Sequence, residues 1–216
     1  KALKSIADQF SPEIKNQLEW MGSYRNENIV EDVFNKVDGI AAISNEDVDF
    51  VKRNFKVPVS FIPFGYDVKS EITSEDFNNT KAYFLGAMNW TPNMEAGKWI
   101  LKNIVPSLKE ELKDFDLTLS GGDMSKEFFD AQSSNFHAQS RIDNVPEFVK
   151  QFGILLAPIQ SGGGIKIKVI EAMANGKLVI TTPIGAEGIN AVNGKHLLIC
   201  KTTEEFKEAI KKCCAD

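Results

Sequence analysis

From residue 81 onward, short runs of apolar and β-branched residues alternate with amphipathic stretches of helical period, and this alternation constrains the fold more than any other feature. The runs at 81–86 (KAYFLG), 116–120 (DLTLS), 153–158 (GILLAP), 177–181 (KLVIT) and 196–200 (HLLIC) read as strands, with 135–139 as a weaker sixth. Helical periodicity fills the gaps, at about 93–112, 124–132, 145–151, 164–175 and 203–213. Strands apolar on both faces and separated by helices pack as a parallel sheet covered on both sides. The predicted class is therefore α/β, with a Rossmann-like, doubly wound parallel sheet.

Residues 1–70 read differently. Helices are expected over 2–20 and 24–37, followed by a strand at 39–43 (GIAAI). Ser44 then precedes a helical stretch with Asp47 three residues on, the spacing of a capping box. A second strand is expected at 57–62, leading into PFGYD. Two strands are too few to close a sheet of their own, so 1–67 is read as the C-terminal remnant of a first lobe. The polar, apolar-poor stretch 68–80 is read as a linker and 81–216 as a second lobe. A chain that opens on Lys1 rather than methionine is expected to be cut from something longer.

Composition narrows the partners. Of 216 residues, 43% are hydrophobic and 25% charged, as in an ordinary globular protein. A net charge of −5 argues against nucleic acid as a partner, which calls for clustered Lys and Arg. No stretch reaches the roughly 18 apolar residues of a membrane span. The cysteines are Cys200, Cys213 and Cys214, an odd number with no zinc-type spacing, and His137 and His196 are the two histidines. The expectations are a reduced, cytoplasmic protein and no metal site.

Chemistry concentrates at 153–176. The strand ending at Pro158 runs into Ile159-Gln160-Ser161-Gly162-Gly163-Gly164, and a helical pattern follows at once. In parallel α/β sheets, ligands sit beyond the carboxyl ends of strands. Three glycines leave backbone N–H groups uncovered, and a helix N-terminus adds partial positive charge to the same spot. Lys166 and Lys168 stand where the helix dipole disfavours cations, which makes sense if an anion such as a diphosphate lies opposite. Lys168 and Glu171, three apart, share a helical face, and the carboxylate could accept hydrogen bonds from sugar or ribose hydroxyls. The same residues also fit a plain tight turn followed by a solvated Lys–Glu pair.

The stretch GGGIKIKVIEAMANGKLVITTPIGAEGI resembles the signature of family-four glycosyltransferases with the GT-B architecture, whose members read like GGGTRLKVLEAMAxGxPVVxTxxGAEGL. PVSFIPFGYD, FLGAMNWTPN and RIDNVPEFV extend the resemblance over about residues 20–212. The resemblance implies that 81–216 is the lobe binding a nucleotide sugar and that 1–67 belongs to the acceptor-side lobe. It casts Glu171 as the ribose ligand and Lys168, with Lys166 at the family's Arg position, as catalytic cations neutralising the diphosphate. It further implies backbone contacts from Gly162, Gly163 and Gly164, places Gly86 against the diphosphate, and puts Arg141 and Ile142 beside the base. Many members carry a second glutamate touching the sugar, eight positions before the first; here Gly163 stands there.

The implied activity is retaining transfer of a sugar from a nucleoside diphosphate to an unidentified carbohydrate or lipid acceptor, with no metal or other cofactor. The missing lobe would supply the acceptor site and any peripheral contact with the inner face of a membrane, so this chain alone is expected to transfer little. A non-catalytic nucleotide-sugar-binding subunit is the main alternative, kept alive by Gly163; a GT-B epimerase and a receiver-type domain are weaker ones. Other residues have two readings. Trp90 and Asn93 border the ligand, or Thr91 and Pro92 simply start a helix. Glu187 shapes the donor pocket or only its loop, and 121–123 reads as a turn. His137 reads as a core histidine, and His196 and the cysteines have no assigned role.

Overall fold

The structure is a computed structural model that describes residues 33–66 and 80–215. The helix expected over 2–20, most of that over 24–37, and nearly all of the 68–80 linker lie outside the described residues. The chain divides into two units, residues 1–64 and 65–216.

In the first unit, β1 (Ile40–Ala42), α1 (Asn45–Asn54) and β2 (Val59–Phe61) form a parallel βαβ unit with Ile40 opposite Val59. Ser44 caps α1 as its sequence suggests: its Oγ accepts from the Asp47 backbone N–H at 3.1 Å and donates to the Asp47 carboxylate at 2.7 Å.

The second unit carries β3 (Lys81–Leu85), β4 (Asp116–Ser120), β5 (Phe136–Gln139), β6 (Ile154–Ala157), β7 (Leu178–Thr181) and β8 (Leu198–Ile199). All pair in parallel in the order β5-β4-β3-β6-β7-β8. Counted from β3 this is 3-2-1-4-5-6, the doubly wound arrangement. The chain moves outward from β3 to β5, then returns to start β6 on the other side of β3. At that reversal the connections leaving β3 and β6 diverge to opposite faces, which opens a crevice above the two strands.

Between the strands lie α2 (Thr91–Asn103), α3 (Lys126–Asp130), α4 (Val145–Lys150) and α5 (Ile167–Ala174), and α6 (Thr203–Ala215) follows β8. Alternation along each strand sends Ala82, Phe84, Leu117, Leu119 and Phe136 to one face, all fully buried. Gly97 of α2 fits there against Phe128 of α3 and Leu119. The other face presents Tyr83, whose ring packs on Phe148 of α4 and on Phe152 at 5.9 and 5.4 Å.

Several boundaries differ from expectation for local reasons. The helix expected over 93–112 ends at Asn103 and continues as a 3₁₀ turn, Val105–Lys109, because Pro106 cannot donate to an α-helical ladder. Trp90, not Thr91, is the N-cap of α2, and its side chain makes no capping bond. The helix expected from 164 starts at Ile167, since Gly162 and Gly164 have φ of +91° and +78°, a backbone state that cannot enter a helix. Within α5, Val169 and Ala172 are buried, and Ile170 and Met173 are half-buried.

Candidate functional site

The crevice at the β3–β6 reversal is built from the loops after those two strands. After β6, the positive-φ glycines turn Ser161–Gly164 away from the sheet, and Lys166 becomes the N-cap of α5. α5 receives no side-chain capping bond, and its first-turn N–H groups lie at this reversal, whereas in α2 the Asn93 and Met94 N–H groups both donate to the Trp90 carbonyl.

Lys168 joins the two loops. Its ammonium donates to the Leu85 carbonyl at 2.9 Å and to Asn93 Oδ1 at 2.6 Å, and lies 4.4 Å from the centre of the Phe84 ring. Asn93 is held in turn by donating from Nδ2 to the Ala87 carbonyl at 2.9 Å. An ammonium has three N–H donors, so one remains after these contacts. Burial lowers the Lys168 pKa to about 8, with Glu171 acting in the opposite direction. Gly86 sits beneath this cluster, and a Cβ there would come within 2.6 Å of the Asn93 amide and 2.8 Å of Lys168 Nζ. The positions the sequence singled out as Gly86, Asn93 and Lys168 thus occupy one point in space.

Lys166 has a different environment. It donates to the Gly164 carbonyl at 2.6 Å and pairs with Glu187 at 3.4 Å, its own side chain 12% exposed. Glu187, from the loop after β7, thus supplies a protein carboxylate to one of the two lysines at this helix start. Thr182 holds that loop, its hydroxyl donating to the Ile159 carbonyl at 2.5 Å and accepting from the Gly185 N–H at 3.0 Å.

Below Lys168 opens a cleft of about 510 Å³ between α4, α5 and the sheet, a size suited to a small-molecule ligand. Tyr66, Tyr83, Leu85, Val145, Pro146 and Val149 form its apolar walls, and Lys168, Glu171 and Asn175 its polar edge. Glu171 lies one turn along α5 from Lys168. Tyr83 is buried there, and burial together with the nearby Glu171 holds its hydroxyl in the protonated form.

Gly162, Gly163 and Gly164 lie on the loop above this cleft rather than in its walls. Arg141 and Ile142 follow β5; Arg141 is exposed, 3.8 Å from the Asp143 carboxylate, and Ile142 packs against the core. Neither lines the cleft, which is bounded on that side by Val145 and Pro146 at the start of α4. His137 is half-buried in β5, and His196 accepts from the Val192 N–H in a turn. Among the described residues, no three His, Cys, Asp or Glu side chains gather as a metal site, and no helix is long and apolar enough to cross a membrane.

Two features of the site escaped the sequence reading. Tyr83 alternates like any core residue, and only the sheet register turns it toward the cleft. Glu95, on an amphipathic helix, accepts a hydrogen bond from Ser161 at the start of the glycine loop, across 66 residues.

A doubly wound parallel sheet with a glycine loop, a lysine and a carboxylate at its strand-order reversal defines a Rossmann-like domain. Residues 79–216 match the family described as Glycosyl transferases group 1, and the chain belongs to that family. It is 25% identical over 188 residues to an "Uncharacterized 44.6 kDa protein in cps region" of Klebsiella pneumoniae, covering 83% of this chain and 48% of that protein. The chain therefore spans about half the length of the curated relative it matches.

Several solved structures share this fold. The pneumococcal O-GlcNAc transferase GtfA, in complex with UDP and GlcNAc, superposes with a TM-score of 0.64 at 16% identity, over 83% of this chain and 38% of that one. Anabaena HepE in complex with UDP gives 0.69 at 15% identity, over 97% and 60%. S. aureus TarM, in a complex that includes UDP, gives 0.70 at 15% identity, over 89% and 40%. These likenesses establish the fold.

Proposed function

We propose that this chain is the donor-binding half of a retaining glycosyltransferase and holds a nucleoside-diphosphate sugar across the β3–β6 reversal. The observation that carries the reading is the convergence of Lys168, Asn93 and Gly86 on one point, beside the N-terminus of α5 and one turn from Glu171. In this reading the free N–H of Lys168 and the backbone amides of Gly162, Gly163 and Gly164 take the diphosphate. Glu171 accepts from the ribose hydroxyls, and the base enters the apolar cleft beside Val145 and Pro146, with Arg141 and Ile142 at its rim. The UDP present in complexes of structurally similar proteins supports this assignment of parts.

Transfer breaks the bond between the sugar's anomeric carbon and the β-phosphate oxygen, and negative charge grows on the departing diphosphate. Lys168, Lys166 and the α5 amides face that charge, so they stabilise the transition state more than the ground state. Lys166 acts less directly because Glu187 shares its charge. The reading needs no metal ion, since these cations take that role. The acceptor, carbohydrate or lipid, binds a lobe outside the described residues, as does any contact with a membrane surface, and the site of action is the cytoplasm.

Titration of the 216-residue chain with UDP, GDP, ADP and dTDP tests the donor site, as a bound ligand raises the unfolding temperature. A rise with one of them that disappears in Lys168→Glu is expected; no rise with any would overturn the reading. Gly163 supports a second reading, a non-catalytic nucleotide-sugar-binding subunit, because the glycine loop offers no side chain to hold the sugar. Transfer of labelled sugar by the full-length protein, present or absent, separates the two.

A further inference from the structure

We infer that Glu95 is a sugar-recognition residue, a role that rests on the donor-site reading above. Three side chains from the first half of α2 meet the crevice. Asn93 holds Lys168 at 2.6 Å, Pro92 flanks the loop, its Cγ 3.1 Å from where a Gly162 Cβ would stand, and Glu95 accepts a hydrogen bond from Ser161. Pro92 and Glu95, three residues apart and so on one face of α2, therefore line the side of the crevice next to the glycine loop, and Glu95 is the acidic residue there.

The chemistry of the loop calls for such a group. Residues 162–164 have no side chains, so the loop meets a sugar with backbone groups fixed by its turns. Sugar hydroxyls differ between epimers in direction, and discrimination among them needs an acceptor held at a defined place. A carboxylate accepts through two oxygens. Ser161 engages Oε2 of Glu95, which fixes the side chain and leaves Oε1 without a protein partner among the described residues. A sugar whose diphosphate rests on Lys168 and the α5 amides lies against this loop, within reach of a side chain tied to the loop's first residue. Ser161 is the positioning residue, and Glu95 makes the contact.

The experiment compares the 216-residue chain with Glu95→Gln and Ser161→Ala by calorimetric titration with UDP, UDP-glucose, UDP-galactose and UDP-N-acetylglucosamine. Glutamine keeps an oxygen that can accept from Ser161, so the loop anchor survives while the charge is lost. A hydrogen bond from a hydroxyl to a charged acceptor corresponds to about ten- to hundred-fold in affinity. Glu95→Gln is therefore expected to remove about ten-fold or more of the affinity that the preferred sugar adds over UDP, and to narrow the differences among the three sugars. Ser161→Ala is expected to do the same to a smaller extent. An unchanged sugar increment in Glu95→Gln would overturn the inference, as would an equal loss for UDP and for every UDP-sugar, which would mark a structural latch. If neither UDP nor GDP, ADP and dTDP bind the unaltered chain, the donor-site reading fails and this one falls with it.

Discussion

Lys168 Nζ lies 2.6 Å from Asn93 Oδ1, although the two residues stand 75 positions apart, one at the start of the helix after β6 and the other at the start of the helix after β3. The bond spans the strand-order reversal, so the cation is fixed by both halves of the doubly wound sheet. In the proposed donor site its remaining N–H would be preset for the diphosphate, with little ordering left to be done on binding.

Replacing Lys168 therefore removes a preorganised, charge-assisted hydrogen bond. Lys168→Met keeps the bulk of the stem, so the lobe is expected to fold, and affinity for the nucleoside diphosphate that binds is expected to fall about thirty-fold, near 2 kcal/mol. Lys168→Glu is expected to abolish measurable binding by adding repulsion. Calorimetric titration checks both, and unchanged affinity in either would remove Lys168 from the site.

The acidity of this lysine predicts a pH profile. Burial lowers its pKa to about 8, and only the ammonium attracts a diphosphate. Affinity is expected to be flat near pH 7 and to fall as the pH rises through 8, by up to about ten-fold per unit until the pKa of the bound form is passed. A terminal phosphate completes its second ionisation near pH 6, outside this window. Lys168→Met is the control, expected to be flat throughout. In the unliganded protein the sign is opposite for stability. The folded chain binds fewer protons than the unfolded one between pH 8 and the ordinary lysine value near 10.4, so Lys168 makes folding more favourable as the pH rises across that interval. Urea unfolding of both chains at pH 7 and pH 10 measures the difference.

The fold was legible because hydrophobic alternation is a local property, and a parallel sheet writes it into every strand. Even 135–139, the weakest of the six runs, pairs along its length with β4. The spacing of Lys168 and Glu171 was legible for the same reason, since three residues make nearly one helical turn. Partners were not. Nothing near Lys166 announces Glu187, nothing near Ser161 announces Glu95, and Asn93 could be read equally as part of a helix start. These pairs are 21, 66 and 75 residues apart, and only the sheet order brings them together. The start of α5 was misplaced by three residues because glycine permits both a helix and the left-handed turns that Gly162 and Gly164 adopt.

Gly86 yields a prediction about room rather than charge. Its added Cβ would overlap the Asn93 amide and the Lys168 ammonium, both ends of side chains rather than backbone. Gly86→Ala is expected to cost about 1 kcal/mol of stability, at the low end for overpacking, because side-chain ends can shift. The shift would break the Lys168–Asn93 alignment, so nucleoside-diphosphate affinity is expected to drop about ten-fold. Chemical denaturation and calorimetric titration of the same preparation read the two effects separately. Full affinity in a stably folded Gly86→Ala would show that the alignment is unimportant.

Two residues that shape the loop after β7 separate burial from charge. Thr182 is buried, and its hydroxyl bridges the Ile159 carbonyl and the Gly185 N–H. Thr182→Val preserves shape but leaves both backbone groups unpaired in a dry place, so a loss of about 2 kcal/mol is expected. Glu187 is 44% exposed, and its pair with Lys166 is open to solvent and to salt screening. Glu187→Gln is expected to change stability by less than about 0.5 kcal/mol. Its effect belongs to binding. With the carboxylate gone, Lys166 presents its full charge to the loop, and affinity for the bare nucleoside diphosphate is expected to rise a few-fold at low salt and to converge with the unaltered chain at high salt. Denaturation midpoints and titrations at two ionic strengths distinguish these roles; a Glu187→Gln chain that binds more weakly at low salt would show that the carboxylate orients Lys166 instead of competing for it.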